Sequence, residues 1–139
     1  MIDPTLIRTS ILDALQAVPQ LVVFDGAVPA KVPTDAAGYI RPYVAVYVGA
    51  PTGLAETTLD ARPDTGSVTR WAQTTLVAAS PGHLDPLATT VVRALTGLRI
   101  GTHHLAPDRD QHATTVPLVD QSISPARYFL PLQWGITTT

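Results

Sequence analysis

Apolar residues recur at helical spacing near the start of the chain and fall on one side of a predicted helix: Ile7, Ile11, Ala14, Leu15 and Val18. Asp3 and Pro4 precede them. This pair is typical of a helix start, because the Asp side chain accepts free amide hydrogens and a proline at the first helical position lacks only a hydrogen that the helix does not use. Pro19 ends the pattern. The spacing therefore predicts an amphipathic helix over residues 4–17.

Apolar runs with the pattern of strands follow. Residues 21–24 are short, apolar and closed by Asp-Gly, and residues 43–48 alternate large and small side chains. In the run over residues 68–79 neither face is wholly apolar. Asp85-Pro86 then repeats the helix start of the N-terminus, within an apolar stripe at helical spacing: Leu84, Leu87, Ala88, Val91, Leu95 and Leu98. We expect strands that lead into a second helix folded back over the sheet.

The last part of the chain predicts a loop and a final strand. Residues 101–126 form an irregular loop region with one short strand at 114–119. Period-two alternation then places several large side chains on one face: Tyr128, Leu130, Leu132, Trp134 and Ile136. Pro131 in this run indicates an edge strand or a bulge. The order of elements predicts an α+β fold, with two helices on one face of a four- to five-stranded mixed or antiparallel sheet.

Residues 49–66 separate two predicted strands and are too long for an ordinary hairpin. We interpret them as a protruding arm. Its charged residues, Glu56, Asp60, Arg62 and Asp64, form either a solvated tip or a contact with a partner. Trp71 and Trp134 also allow two interpretations, since a tryptophan in a strand packs either in the core or in a subunit interface.

Composition favours a protein that associates with others. The 139 residues suit one domain, which would bury about two thirds of the surface that its unfolded chain exposes. The chain is 45% hydrophobic and only 14% charged, which is apolar for a domain of this size. Some of that apolar surface is expected to contact other subunits.

Charge and cysteine content exclude several classes of function. The formal net charge is −2 and Lys31 is the only lysine, so we expect no sequence-specific nucleic-acid binding. Cysteine is absent, which excludes disulfides and thiolate zinc sites. The sequence starts without the basic segment of an export signal, and no apolar run reaches about 18 residues. We expect a soluble protein without a membrane segment.

The stretch whose side chains best suit a metal or catalytic site is residues 103–112, which holds His103, His104 and His112 beside two aspartates. Imidazoles and carboxylates are metal ligands. However, adjacent histidines in a strand point apart, and no His-Glu-x-x-His helix is present. Glu56 is the only glutamate, and no serine lies in a Gly-x-Ser-x-Gly turn. We therefore expect a solvated loop, no metal or other cofactor, and no catalytic residue.

Taken in order, these features resemble the tail terminator (tail completion) proteins of long-tailed bacteriophages, particularly of phages that infect actinobacteria. The resemblance spans residues 4–98. It includes the first helix ending at Ala17-Val18-Pro19, the Arg41-Pro42-Tyr43-Val44 entry to a strand, and the Trp71 strand that leads through Ala78-Ala79-Ser80 into the Leu87–Leu95 helix.

The resemblance implies a structural virion protein at the head-proximal end of the tail, assembled in the host cytoplasm. Such a protein forms a hexameric ring on the tail tube, stops tube polymerisation and contacts the head-side connector, while DNA passes through the lumen. It implies interface roles for the arm charges Glu56, Asp60, Arg62 and Asp64, with the acidic ones near the lumen. The alternatives are another phage neck or tube component, and a small metal-binding domain or enzyme built on residues 103–112.

Overall fold

The computed structural model describes residues 3–26, 28, 32–48, 68–107, 117–122 and 126–138, and for residues 68–70, 137 and 138 it describes only the backbone. The helices are α1 (Pro4–Gln16) and α2 (Pro81–Leu95). Neither of them is long and apolar enough to cross a membrane. The predicted arm, residues 49–66, lies outside the described residues, and so do its charges Glu56, Asp60, Arg62 and Asp64.

The strands are β1 (Val22–Asp25), β2 (Tyr43–Val48), β3 (Val68–Ala78), β4 (Arg99–Ile100), β5 (His103–His104), β6 (Ala106–Pro107), β7 (Leu118–Asp120) and β8 (Arg127–Thr138). The main sheet has the order β1-β2-β3-β8-β6, and β7 also pairs with β8. Only the β1–β2 pair of these described strands is parallel. The predicted α+β class with a mixed sheet is confirmed. The sheet has six strands because the short β6 and β7 join it.

Helix α1 begins as its sequence predicts. An Asp3 carboxylate oxygen accepts a hydrogen bond of 2.9 Å from the Thr5 amide, and Pro4 occupies the first helical position. The buried side of the helix consists of Ile7, Ile11 and Leu15. Burial of each such side chain contributes about 1.5–3 kcal/mol, so this stripe holds α1 on the sheet.

Helix α2 begins earlier than predicted. Its N-cap is Ser80, whose hydroxyl accepts a hydrogen bond of 3.3 Å from the His83 amide. Asp85-Pro86, the predicted start, lies inside the helix. Ser80-Pro81 carries the same N-cap and proline signal as Asp85-Pro86. The earlier pair prevails because a start at Pro81 adds Leu84 to the buried stripe, together with Leu87, Val91 and Leu95.

Both helices pack on one face of the sheet, as predicted. Their buried stripes contact a single apolar cluster that includes Val44 and Val46 of β2, Ala72, Leu76 and Ala78 of β3, and Leu130, Trp134 and Ile136 of β8. The small β4–β5 hairpin adds Ile100 to the same cluster. Within it, the Trp134 indole Nε1–H donates a hydrogen bond of 2.9 Å to the fully buried Thr74 hydroxyl. The polar group of each residue is thereby satisfied without water.

The opposite face of the sheet is covered only at one end by described residues. There a second apolar cluster forms around Ile40, Tyr43 and Val77, and Val28 and Val32 pack against it. Phe24 meets Tyr43 edge to face, with ring centroids 5.4 Å apart. Val28 and residues 32–40 therefore cover the beginning of β2 on this face.

The position of β8 corrects the prediction for Pro131. This strand is central in the sheet, with β3 on one side and β6 and β7 on the other. However, β6 pairs with residues 134–135 and β7 with residues 127–129, so among the described strands none pairs with residues 130–133 on that side. Pro131 lies in this local gap, where a missing amide hydrogen is tolerated.

The short strand predicted at 114–119 is found at 118–120. The predicted irregular region, residues 101–126, also contains β5 and β6, which the sequence pattern did not indicate.

Candidate functional site

The candidate site is the part of the sheet that faces away from the helices and is not covered by Val28 and residues 32–40. We name it the open patch. It consists of Tyr47 from β2, Trp71, Gln73 and Thr75 from β3, and Pro131, Gln133 and Gly135 from β8. The strand register aligns Tyr47, Gln73 and Gln133 in one row across the sheet. Tyr47 is 41% exposed, and the other members are partly buried.

Side-chain amides are held in fixed positions on the open patch. Gln133 Nε2 donates a hydrogen bond of 2.7 Å to Gln73 Oε1, and Gln73 Nε2 donates one of 2.8 Å to the Thr75 hydroxyl. This chain of hydrogen bonds orients both glutamines before any partner arrives. A partner would therefore lose little side-chain entropy in binding them.

The open patch carries no charged side chain. Aromatic residues and fixed amides without charges are characteristic of the central part of protein–protein interfaces, where charged residues are depleted. The arrangement therefore suits binding of another protein surface.

The two tryptophans predicted as core or interface residues lie on opposite faces of the sheet. Trp134 is 1% exposed because it lies beneath the helices, so its side chain is not accessible to another protein in this subunit. Trp71 lies on the open patch and is partly buried. Its register partner in β8 is Gly135.

A charged cluster borders the open patch at the end near residues 28–40. Arg127 Nη1 donates a hydrogen bond of 3.1 Å to the Tyr43 hydroxyl. Asp120 lies opposite Arg127 in the β7–β8 register. Hydrogen bonds from the Ser122 hydroxyl and amide hold the pKa of Asp120 below its usual value, with a smaller contribution from the positive charge of Arg127. Asp120, Arg127 and Tyr43 line a concavity of about 210 Å³ together with Tyr47, Thr75 and Phe129.

The predicted metal-ligand stretch does not form a metal centre in the described part of the chain. His103 and His104 lie in β5, where successive side chains point to opposite sides. His112 lies outside the described residues. Within the described residues no group of three or more His, Cys, Asp or Glu side chains lies together.

The hydrogen-bonded pair Gln73 and Gln133, which we name the glutamine row, was not predicted from the sequence. Gln73 and Gln133 are 60 positions apart, and only the register of β3 with β8 brings them into contact. The available signal was Gln73 and Thr75 at alternate positions of one run and Gln133 in the other, since polar residues mark strand faces that are not packed in a core.

Comparison with known proteins adds no family assignment: no protein-family profile matches the chain, and no curated protein is similar to it.

Proposed function

We propose that this protein is a structural virion subunit, the tail terminator of a long-tailed bacteriophage, which forms a ring on the end of the tail tube and joins it to the head-side connector. The observation that carries the proposal is the open patch: a rigid, uncharged, aromatic and amide-rich surface on a sheet whose other face is fully used by its own helices. Such a surface suits a permanent contact with a neighbouring protein.

The edge of the sheet supports the same proposal. Among the described residues no strand pairs with the outer side of β1, and three of its four residues are apolar. Unpaired edges with few charges attract other strands, and a closed ring covers every such edge with an identical neighbour. In this role the protein needs no catalytic residue and no cofactor.

The proposed ring is a hexamer with DNA passing through its lumen. We place the acidic side chains Glu56, Asp60 and Asp64 near that lumen, because negative charge there would repel DNA and let it slide past. Arg62 would then face a neighbouring protein. The partners are further copies of this chain, the tail-tube protein and the head-side neck protein.

Electron microscopy of negatively stained protein, alone and mixed with tail-tube subunits, tests the proposal. We expect rings in the sample alone, and tubes that are capped and shortened in the mixture. Sedimentation of the same samples gives the mass of the ring. A stable monomer that leaves tube length unchanged would contradict the proposal, and tubes that grow from the protein would favour another neck or tube component instead.

A charged substitution in the open patch sharpens that experiment. Gln133→Lys places an unpaired charge at the centre of the proposed interface, and we expect it to prevent ring formation while leaving the fold intact. Gln16→Lys is the matched control, since Gln16 is exposed on α1, in the other layer. Equal ring formation by both variants would argue against the open patch as an interface.

A further inference from the structure

A second surface lies at the end of the sheet where β2 begins and β3 ends. Two concavities of about 390 and 470 Å³ adjoin there and share Arg41, Pro42 and His83. The first continues between the end of α1 and the start of α2, and the second continues towards Tyr39 and Ala79. We name this continuous depression the Arg41 groove.

The walls of the Arg41 groove are mostly apolar: Val18, Pro19, Leu21, Pro86 and Leu87 on one side, and Ile40 and Ala79 on the other. Tyr39 stands 60% exposed at its rim. Concavities of a few hundred Å³ with this lining accept side chains of a ligand or peptide.

The positive charge of Arg41 in the groove favours a ligand that carries a carboxylate. Arg41 is exposed, and its backbone is fixed by a hydrogen bond of 3.0 Å from its amide to the Pro33 carbonyl oxygen. The acidic residue of the lining, Asp35, already uses one carboxylate oxygen to accept the amides of Ala37 and Tyr39 at 2.9 and 3.0 Å. Among the described residues no ion pair involves Arg41, so its guanidinium can make a bidentate contact with an incoming acid. The matching occupant is a peptide segment that alternates apolar and acidic side chains.

The chain itself contains such a segment. Residues 49–67 include Leu54 and Leu59 beside three acids, Glu56, Asp60 and Asp64, and one cation, Arg62. This segment joins the described structure at Val48 and Val68, at the opposite end of the sheet from the Arg41 groove. The length of β2 separates the two ends by about 20 Å. A copy placed head to tail would bring the segment of one subunit to the groove of the next.

We propose that residues 49–67 of one copy dock in the Arg41 groove of a neighbouring copy, with leucines against its apolar walls and one of the three acidic side chains on Arg41. The other two acidic side chains then stay near the proposed lumen. This inference rests on the proposed ring and names a contact that would close it. Because segment and groove are different surfaces at opposite ends of the subunit, the contact is heterologous and propagates around a ring.

Cysteine cross-linking tests the contact directly, because the chain has no cysteine of its own. One variant carries His83→Cys at the groove, and the other carries Leu54→Cys, Leu59→Cys or Asp64→Cys in turn. Equal amounts of the two are mixed before assembly and treated with a short bis-maleimide. We expect covalent dimers in the mixture and not in either variant alone. A chain with both substitutions should give a ladder of multimers.

Charge reversal gives a second readout. Arg41→Glu should raise the concentration needed for half-maximal ring assembly by about tenfold or more, because it places like charges together. Combining it with Glu56→Arg, Asp60→Arg or Asp64→Arg should restore assembly in one of the three pairs. Arg93→Glu, an exposed change on α2 away from the groove, is the matched control and should assemble normally.

Sedimentation of the same samples separates failure of this contact from failure of the proposed function. Rings that form without cross-links, and that tolerate Arg41→Glu, would overturn the docking while the ring stands. Cross-links within a single chain would also overturn the docking, because they would show that the groove binds the segment of its own chain. Cross-links that form only with added tail-tube protein would overturn it as well, because the contact would then depend on that protein. Protein that stays monomeric in every sample would overturn both.

Discussion

The two faces of the sheet are made by the same three long strands, yet they are used in opposite ways. On the helix side, most of the alternate residues of β2, β3 and β8 are buried, and even the polar Thr74 has no exposed surface. On the other side, Val28 and residues 32–40 cover one end and leave the open patch beyond it. The helix side therefore supplies stability, and the open side is free to serve contacts.

Each face also has a hydrogen bond between side chains that joins β3 to β8. On the helix side the bond links Trp134 to Thr74 and is buried, whereas on the open side it links Gln133 to Gln73 and is partly buried. A lost buried bond leaves an unsatisfied polar group, but water can replace a partly exposed one. The same kind of bond thus differs in its importance for folding.

Replacing the tryptophan of each face should give the largest contrast. Trp134→Ala leaves a large cavity and an unpaired Thr74 hydroxyl, so we expect it to lower the free energy of unfolding by about 3–5 kcal/mol. Trp71→Ala removes a partly buried ring, and we expect a loss of about 1–2 kcal/mol. Urea unfolding followed by circular dichroism measures both. Equal losses would show that the two faces contribute alike to stability.

A smaller loss of stability should identify the N-cap residue of α2, one of the two helices that cover the buried face. Ser80→Ala removes the N-cap of α2, so we expect a loss of about 1 kcal/mol in the free energy of unfolding. Asp85→Ala should change it by less than about 0.5 kcal/mol, since Asp85 is exposed inside the helix. The same urea experiment compares them. A greater loss for Asp85→Ala would restore the Asp85-Pro86 start predicted from the sequence.

The smallest effect concerns the charged border of the open patch. The pKa of Asp120 is lowered in the folded protein, so its ionised form favours folding above the usual carboxyl pKa, and this contribution is lost as the pH falls through the lowered pKa. Ser122→Ala removes the hydroxyl that contributes most, and it should raise the pKa of Asp120. Carboxyl chemical shifts in an NMR titration measure this. An unchanged pKa would assign the shift to the Ser122 amide, which the alanine keeps, and to Arg127.

The helix-covered face was largely predictable from the sequence, and the open face was not. Periodicity placed the stripes of α1 and α2 and the bounds of β2, because local spacing determines which side chains of an element can be buried. The short β6 escaped prediction, since it exists only through its pairing with β8. The open patch likewise depends on the register of β3 with β8, which no local pattern specifies.

The central position of β8 has a consequence for how the protein is made. This strand follows all the other described strands in the sequence, yet it lies between β3 and the pair β6 and β7. A nascent chain that ends at β7 therefore lacks the strand that joins the two parts of its sheet. Contacts between such distant segments form slowly, because they require the closure of a long loop. The glutamine row of the open patch is therefore complete only when β8 has been inserted.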